Sequence, residues 1–177
     1  MSNFRFISFT EQYEPILQQL LDNPKDWDAV SKFNSITGKT SPYGFLPLVM
    51  ASVTPAQPNP KNCEDQKNTP LFDKYDLIHK WLRSWNIQKI SRAAFFKLQV
   101  DGQVGRHIDD GTYYLSRDRY HFSLQGEYLY EVDGEKHIIK PGTFFWFDNK
   151  KMHSAKNVSN VERITFVFDV PKSKSNP

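Results

Sequence analysis

The sequence predicts a mainly β protein, a jelly roll that closes most of its sheet edges and carries flanking helices on its N-terminal side. From about residue 89 onward, short apolar runs alternate with turn residues, which is typical of antiparallel strands. Asp133-Gly134 stands between two such runs, and this dipeptide is a strong hairpin signal. Pro141-Gly142 marks the next turn. Many short strands with tight turns favour a sandwich or a barrel.

The individual elements follow from the periodicity. Apolar positions at helical spacing predict a helix within residues 10–34, with Thr10 as its N-cap, and an apolar stripe predicts a second helix near 74–86. Residues 40–70 are rich in proline and predict an irregular connection with a short buried run at 45–49, which we expect to form a lid on the substrate side. The predicted strands are 89–100, 119–125, 127–132, 135–140, 143–147, 152–158 and 162–170.

A single domain accounts for the chain. Its 177 residues, of which 15% are aromatic, suffice for a dense core. We divide it into a helical and irregular part at 1–88, a jelly-roll core at 89–170 and a short polar tail at 171–177.

The composition argues against several classes of partner. The net charge of +3 comes from scattered lysines, which argues against a nucleic-acid partner. Cys63 has no second cysteine to pair with, and no apolar stretch has the length of a signal peptide core or a membrane span. We therefore expect a cytoplasmic protein without membrane contact, and we leave its oligomeric state open.

His107, Asp109, His153 and Arg163 form the motif with the most chemical content. Two imidazoles and one carboxylate can occupy one face of an Fe(II) octahedron, which leaves three positions for a bidentate 2-oxo acid and for O2. Arg163 follows His153 by ten residues and offers a permanently charged fork for the distal carboxylate of such an acid. The pattern predicts an iron site that activates oxygen.

The context of this motif strengthens a weak H-x-D signal. We expect the motif in a glycine-containing loop after a strand, with His153 and Arg163 on two later strands. Strand alternation also places Arg119 and His121 on one face, where both point into a pocket.

Asp110 is an alternative to Asp109 as the carboxylate ligand. The one-residue spacer lets His107 and Asp109 point to the same side of an extended segment, which favours Asp109.

Residues 95–170 resemble the aspartyl/asparaginyl β-hydroxylase family of Fe(II)/2-oxoglutarate oxygenases, which also includes free-proline hydroxylases. The resemblance implies the double-stranded β-helix, cupin-like fold, with iron bound by His107 and His153 and 2-oxoglutarate held by three side chains. Those three are Arg163, Arg119 and His121. Some members have glycine where this chain has Asp109, so the full triad here is more similar to the proline-hydroxylase side. The motifs that carry the resemblance are Phe95-Phe96-Lys97-Leu98, His107-x-Asp109, Arg119-x-His121, Gly142 before Phe147-Asp148, His153 with Asn157, and Arg163 in a strand that ends at Asp169.

The resemblance implies a hydroxylase that consumes 2-oxoglutarate and O2 and releases succinate and CO2. Its substrate would be a free amino acid such as proline, or an Asp, Asn or Pro side chain in a peptide. Two alternatives stay open: a cupin-like metalloenzyme that does not use 2-oxoglutarate, and a non-catalytic binding module on the same fold.

Overall fold

The structure is a computed structural model that describes residues 2–30 and 44–172. Within these ranges it contains eleven strands and three α-helices. The strands are β1 (Phe4–Phe9), β2 (Gly44–Ala51), β3 (Gln66–Asn68), β4 (Ala93–Leu98), β5 (Gln103–His107), β6 (Arg117–Gln125), β7 (Tyr128–Val132), β8 (Glu135–Ile139), β9 (Thr143–Phe147), β10 (His153–Asn157) and β11 (Arg163–Pro171). The helices are α1 (Tyr13–Leu21), α2 (Asp76–Ser84) and the single turn α3 (Thr112–Leu115), with 3-10 segments at Pro24–Val30 and Pro60–Asn62.

The strands form two antiparallel sheets. The larger sheet has the order β1-β9-β6-β11-β4-β2-β3, and the smaller has the order β5-β10-β7-β8. Strands that are distant in sequence are neighbours in both sheets, as in a jelly roll. The mainly β, cupin-like jelly roll predicted from the sequence is confirmed.

Helices α1 and α2 cover the outer face of the larger sheet. Their apolar residues pack against every second side chain of the central strands, which the two-residue period of a strand turns to the same face. Trp81 of α2 lies at the centre of this layer, with its ring stacked on Phe122 at a centroid distance of 4.0 Å and its edge against Phe144. This layer anchors the helices on the sheet that carries the polar residues described below.

A second, mainly aromatic core lies between the two sheets. It joins residues of β1 and β9 in the larger sheet to residues of β7, β8 and β10 in the smaller one. Tyr130, Phe145 and Phe147 form its central ring contacts, with centroid distances of 4.9–6.3 Å. The core fills one part of the space between the sheets and leaves a cavity beside it.

Several predicted elements need correction. The helix expected within residues 10–34 ends at Leu21, because a residue that precedes a proline disfavours the helical conformation and Pro24 follows closely; residues 31–34 lie outside the described part. The connection at 40–70 contains strand β2. Pro47 of this strand has no N–H to donate to the sheet, and it lies next to a shift in the register of the β2–β4 pairing, where the regular hydrogen-bond pattern is interrupted. His107 does not lie in a loop but ends strand β5.

The remaining elements agree with the sequence or extend it. The second helix and all seven predicted strands are confirmed, with shifts of a few residues at their ends. Strand β1 was not predicted, and it pairs with β9 at the edge of the larger sheet. Within the described ranges, no helix combines the length and the apolar character that crossing a membrane requires.

We expect Trp81→Ala to lower the free energy of unfolding by about 3–5 kcal/mol, because it removes a large ring from a packed core. Trp81→Phe should cost less, since it keeps the stack on Phe122 and removes an indole N–H that has no hydrogen-bond partner among the described residues. Urea denaturation measures both. The control is Trp85→Ala at a half-buried position of the same layer, and a loss as large as that of Trp81→Ala would contradict this packing account.

Candidate metal centre

Three predicted ligands meet at one end of the space between the sheets. His107, Asp109 and His153 each place a ligand atom within 4.8 Å of those of the other two. His107 ends β5 and His153 begins β10, and the two are paired across the antiparallel ladder. Their rings lie 4.2 Å apart between centroids. The backbone of two neighbouring strands therefore brings the two imidazoles together.

Both histidines are oriented by the same local contact. The Nδ1 atom of His107 lies 2.8 Å from the carbonyl oxygen of Gly105, and that of His153 lies 2.8 Å from the carbonyl oxygen of Lys151. A carbonyl oxygen only accepts hydrogen bonds, so each Nδ1 carries a proton and Nε2 is the ring nitrogen that is available to a metal. Burial also lowers the pKa of His153, which favours the neutral form. A histidine ligand needs an unprotonated ring nitrogen, and this tautomer makes Nε2 that atom.

Asp109 is held as a carboxylate. Its Oδ2 accepts hydrogen bonds from Arg119 Nη1 at 2.8 Å and from Asn149 Nδ2 at 2.9 Å. Burial opposes ionisation, but the Arg119 charge and the Asn149 hydrogen bond outweigh it, so the pKa of Asp109 lies below its ordinary value. Its other oxygen, Oδ1, lies 3.9 Å from Nε2 of His107 and faces the imidazoles. Two imidazoles and one carboxylate fit a divalent first-row metal.

Asp110, the alternative ligand, lies elsewhere. Its side chain is 64% exposed and forms an ion pair with Lys61. The cluster of potential ligands found among the described residues includes Asp109 and not Asp110.

Arg163 lies at the buried end of the adjoining cavity, and only 4% of it is exposed. Its Nε donates to the Thr165 hydroxyl at 2.8 Å, and its Cζ lies 4.1 Å from the centre of the Tyr128 ring. Among residues 2–30 and 44–172, no carboxylate lies within ion-pair distance of this guanidinium. A buried cation held only by a hydroxyl and a ring face lacks the counter-charge that normally accompanies it.

The cavity has a volume of about 230 Å³ and joins the ligand cluster to Arg163. His121 lines it and is 5% exposed, and its Nδ1 has no hydrogen-bond partner among the described residues. Burial, followed by the charges of Arg163 and Arg119, lowers the pKa of His121 well below its ordinary value, so the ring is neutral. The remaining lining residues are mostly apolar. Such a cavity suits a small anionic ligand with an apolar middle.

Arg119 lines the same cavity, but its guanidinium already has partners. Besides Asp109, it contacts Asp169 through Nε at 2.8 Å and through Nη2 at 3.0 Å. Burial opposes the charge, but the two carboxylates outweigh it and raise the pKa of Arg119 further above its ordinary value. Arg119 therefore differs from Arg163 in its partners, because its charge is shared between two acidic side chains.

Sequence reasoning missed two groups at the site. Asn149 is buried in the turn before β10 and donates to Asp109, while its backbone oxygen accepts from the Asp109 N–H at 3.0 Å. Tyr130 of β7 lines the cavity and packs parallel to the His153 ring. Alternation along β7 was a usable signal for Tyr130, whereas no local pattern marks Asn149.

A comparison with protein-family models identifies the family of the chain. The model described as aspartyl/asparaginyl beta-hydroxylase matches residues 56–173, about two thirds of the chain. The chain belongs to the aspartyl/asparaginyl β-hydroxylase family. The match includes every residue of the ligand cluster and of the cavity's charged end. Among curated protein sequences, no significant match to the chain is found.

Solved structures resemble part of the chain. A predicted oxalate decarboxylase from Thermotoga maritima is 21% identical, with 51% of this chain and 74% of that chain covered and a TM-score of 0.41. The cupin domain of Schizosaccharomyces pombe Cnp3 is 12% identical, with 46% and 56% covered and a TM-score of 0.41. A cupin protein from Bacteroides fragilis is 14% identical, with 49% and 70% covered and the same TM-score.

We expect Asp109→Asn to weaken the binding of a divalent metal at least about tenfold, because a neutral amide replaces the anionic ligand. Titration with Co(II), followed by its visible absorption, measures the affinity. Asp110→Asn is the matched control and should bind Co(II) as the wild type does. The reverse result, with Asp110→Asn impaired and Asp109→Asn unaffected, would transfer the ligand role to Asp110.

Proposed function

We propose that the protein is an Fe(II)- and 2-oxoglutarate-dependent dioxygenase that hydroxylates an amino-acid-like substrate. One oxygen atom of O2 enters the hydroxyl group of the product and the other enters succinate, while the first carboxyl carbon of 2-oxoglutarate leaves as CO2. The observation that carries the proposal is the buried guanidinium of Arg163, which faces the cavity beside the ligand cluster without a carboxylate partner among the described residues.

The proposal accounts for this unpaired charge. A dicarboxylate that reaches the metal through its 2-oxo acid end would bring its second carboxylate to Arg163, where planar guanidinium donors match it. The Thr165 hydroxyl fixes the guanidinium through Nε, which leaves the terminal nitrogens for the ligand. His121 offers a second polar group at this end of the cavity, because its buried Nδ1 has no hydrogen-bond partner in the described chain. The family membership supports the same assignment.

The three ligands suit the iron that such chemistry requires. His107, Asp109 and His153 would hold Fe(II), which supplies activation of O2 when bound. The protein side chains orient the donors and exclude water: carbonyl contacts fix the histidine tautomers, and the aromatic core closes the back of the cavity. His107 is 44% exposed, so the substrate would approach the cluster from the side of this ring.

For the substrate we propose a free amino acid such as proline, or an Asp, Asn or Pro side chain in a peptide. The full triad with Asp109 favours the small-molecule side of the family. A screen of amino acids and short peptides, followed by succinate release, separates these classes.

We expect Arg163→Lys to raise the KM for 2-oxoglutarate at least tenfold. A charge-assisted contact to a buried carboxylate contributes about 1.5–3 kcal/mol, or about ten- to a hundredfold in affinity, and an ammonium group does not reproduce the fork. Succinate formation against 2-oxoglutarate concentration measures the change.

The matched control is Arg106→Lys, because Arg106 is 63% exposed and lies 3.9 Å from Glu131. It should leave this KM unchanged. An unaltered KM in Arg163→Lys, or turnover without any 2-oxo acid, would favour a cupin-like metalloenzyme that does not use 2-oxoglutarate.

A further inference from the structure

We propose that Asp169 and Tyr113 are positioning residues that act through Arg119 to orient Asp109 and tune its charge toward the metal. The inference rests on the metal site of the proposed function. It assigns a task to a buried group of side chains that the chemistry itself does not use.

The contacts form a continuous chain from the ligand to the backbone of a neighbouring segment. Arg119 donates to Asp109 through Nη1 and to both oxygens of Asp169 through Nε and Nη2, at 2.8–3.0 Å. The Tyr113 hydroxyl donates to Asp169 Oδ2 at 3.0 Å and accepts from the backbone N–H of Arg92 at 3.0 Å. Asp169 is 1% exposed and Tyr113 is fully buried. Water therefore does not compete for the contact between Tyr113 and Asp169.

Asp169 changes what Arg119 does to the ligand. Paired with Asp109 alone, the guanidinium would neutralise the carboxylate and weaken its attraction for a dication. Asp169 takes two of the guanidinium's donors, so the three groups together keep one negative charge. Of the Arg119 donors only Nη1 then reaches Asp109, where it shares Oδ2 with Asn149, and Oδ1 stays turned toward the imidazoles. Outer partners that orient a ligand in this way commonly alter metal affinity.

Tyr113 joins this arrangement to the loop that carries the ligand. Asp109 and Tyr113 both lie in the loop between β5 and β6, Asp109 just before α3 and Tyr113 within it. This loop is therefore held at two places, through the bond of Asp109 to Arg119 and through the bond of Tyr113 to Asp169. The Tyr113 ring lies between two guanidiniums, with the Cζ of Arg92 at 3.6 Å and that of Arg117 at 4.2 Å from its centre. The segment that presents Asp109 is thereby fixed to strand β11.

A purely structural ion pair would predict a different behaviour. Loss of Asp169 would then reduce stability without a specific effect on the metal. The positioning role predicts a loss of affinity that exceeds that of an equally destabilised protein whose site is intact.

The test is Co(II) titration of the full chain, read by the dissociation constant and by the visible absorption of the bound ion. Asp169→Asn keeps the size of the side chain and removes its charge, and should weaken Co(II) binding at least about tenfold. Tyr113→Phe removes a single hydroxyl and should weaken it about threefold, with a shift in the absorption that reports an altered ligand field. Trp81→Leu, which destabilises the fold away from the site, serves as the stability-matched control.

The possible outcomes distinguish the positioning role from the existence of the metal site. Weaker binding in both variants, with the control binding as the wild type does, supports the positioning role. Affinities and spectra equal to wild type in Asp169→Asn and Tyr113→Phe would overturn it while leaving the metal site in place, as would an equal loss in Trp81→Leu. If Asp169→Asn does not fold, Tyr113→Phe decides by the same criteria. A wild-type chain that binds no Co(II) would overturn both the inference and the proposed function.

Discussion

The site depends on the shared guanidinium of Arg119, which lies between Asp109 and Asp169 in the space between the two sheets. Charged groups are costly in such a place unless they are paired and hydrogen-bonded. The alternation of β6 and β11 makes the pairing possible, because each strand sends aromatic residues to the helix-covered face and polar residues to the other. The β6–β11 pair thus contributes both to the core under the helices and to the candidate metal site.

The two arginines that line the cavity therefore have different surroundings. Arg119 forms ion pairs with two carboxylates, whereas Arg163 contacts a hydroxyl and a ring face and meets no carboxylate among the described residues. The first arrangement holds part of the protein in place, and the second leaves a positive charge that the proposed 2-oxoglutarate would neutralise. Position along the sequence does not distinguish them. The difference arises because Asp169 lies opposite Arg119 in the β6–β11 ladder, a register that only the folded sheet defines.

Much of the fold could be predicted because its signals are local. The period of two and the turn dipeptides located the strands after residue 89 except β5, and helical spacing located α2. Strand β1 was missed because its pattern gains meaning only by pairing with β9, more than 130 residues away. The three candidate ligands were chosen from their chemical types and order, and the fold brings them together. The partners of Arg119 were not predictable, since a long side chain has many acidic neighbours in sequence and ion pairing is decided by tertiary contact.

We propose that the ligand cluster and Arg163 together bind 2-oxoglutarate on a metal. Anaerobic titration of 2-oxoglutarate into the Fe(II)-loaded protein tests it most directly, because chelation by a 2-oxo acid gives Fe(II) a visible absorption and no substrate needs to be known. We predict that this absorption appears and saturates with the wild type and is absent in His153→Ala, with circular dichroism confirming that the variant is folded. Absence of the absorption in the Fe(II)-loaded wild type, or its persistence in His153→Ala, would contradict the account.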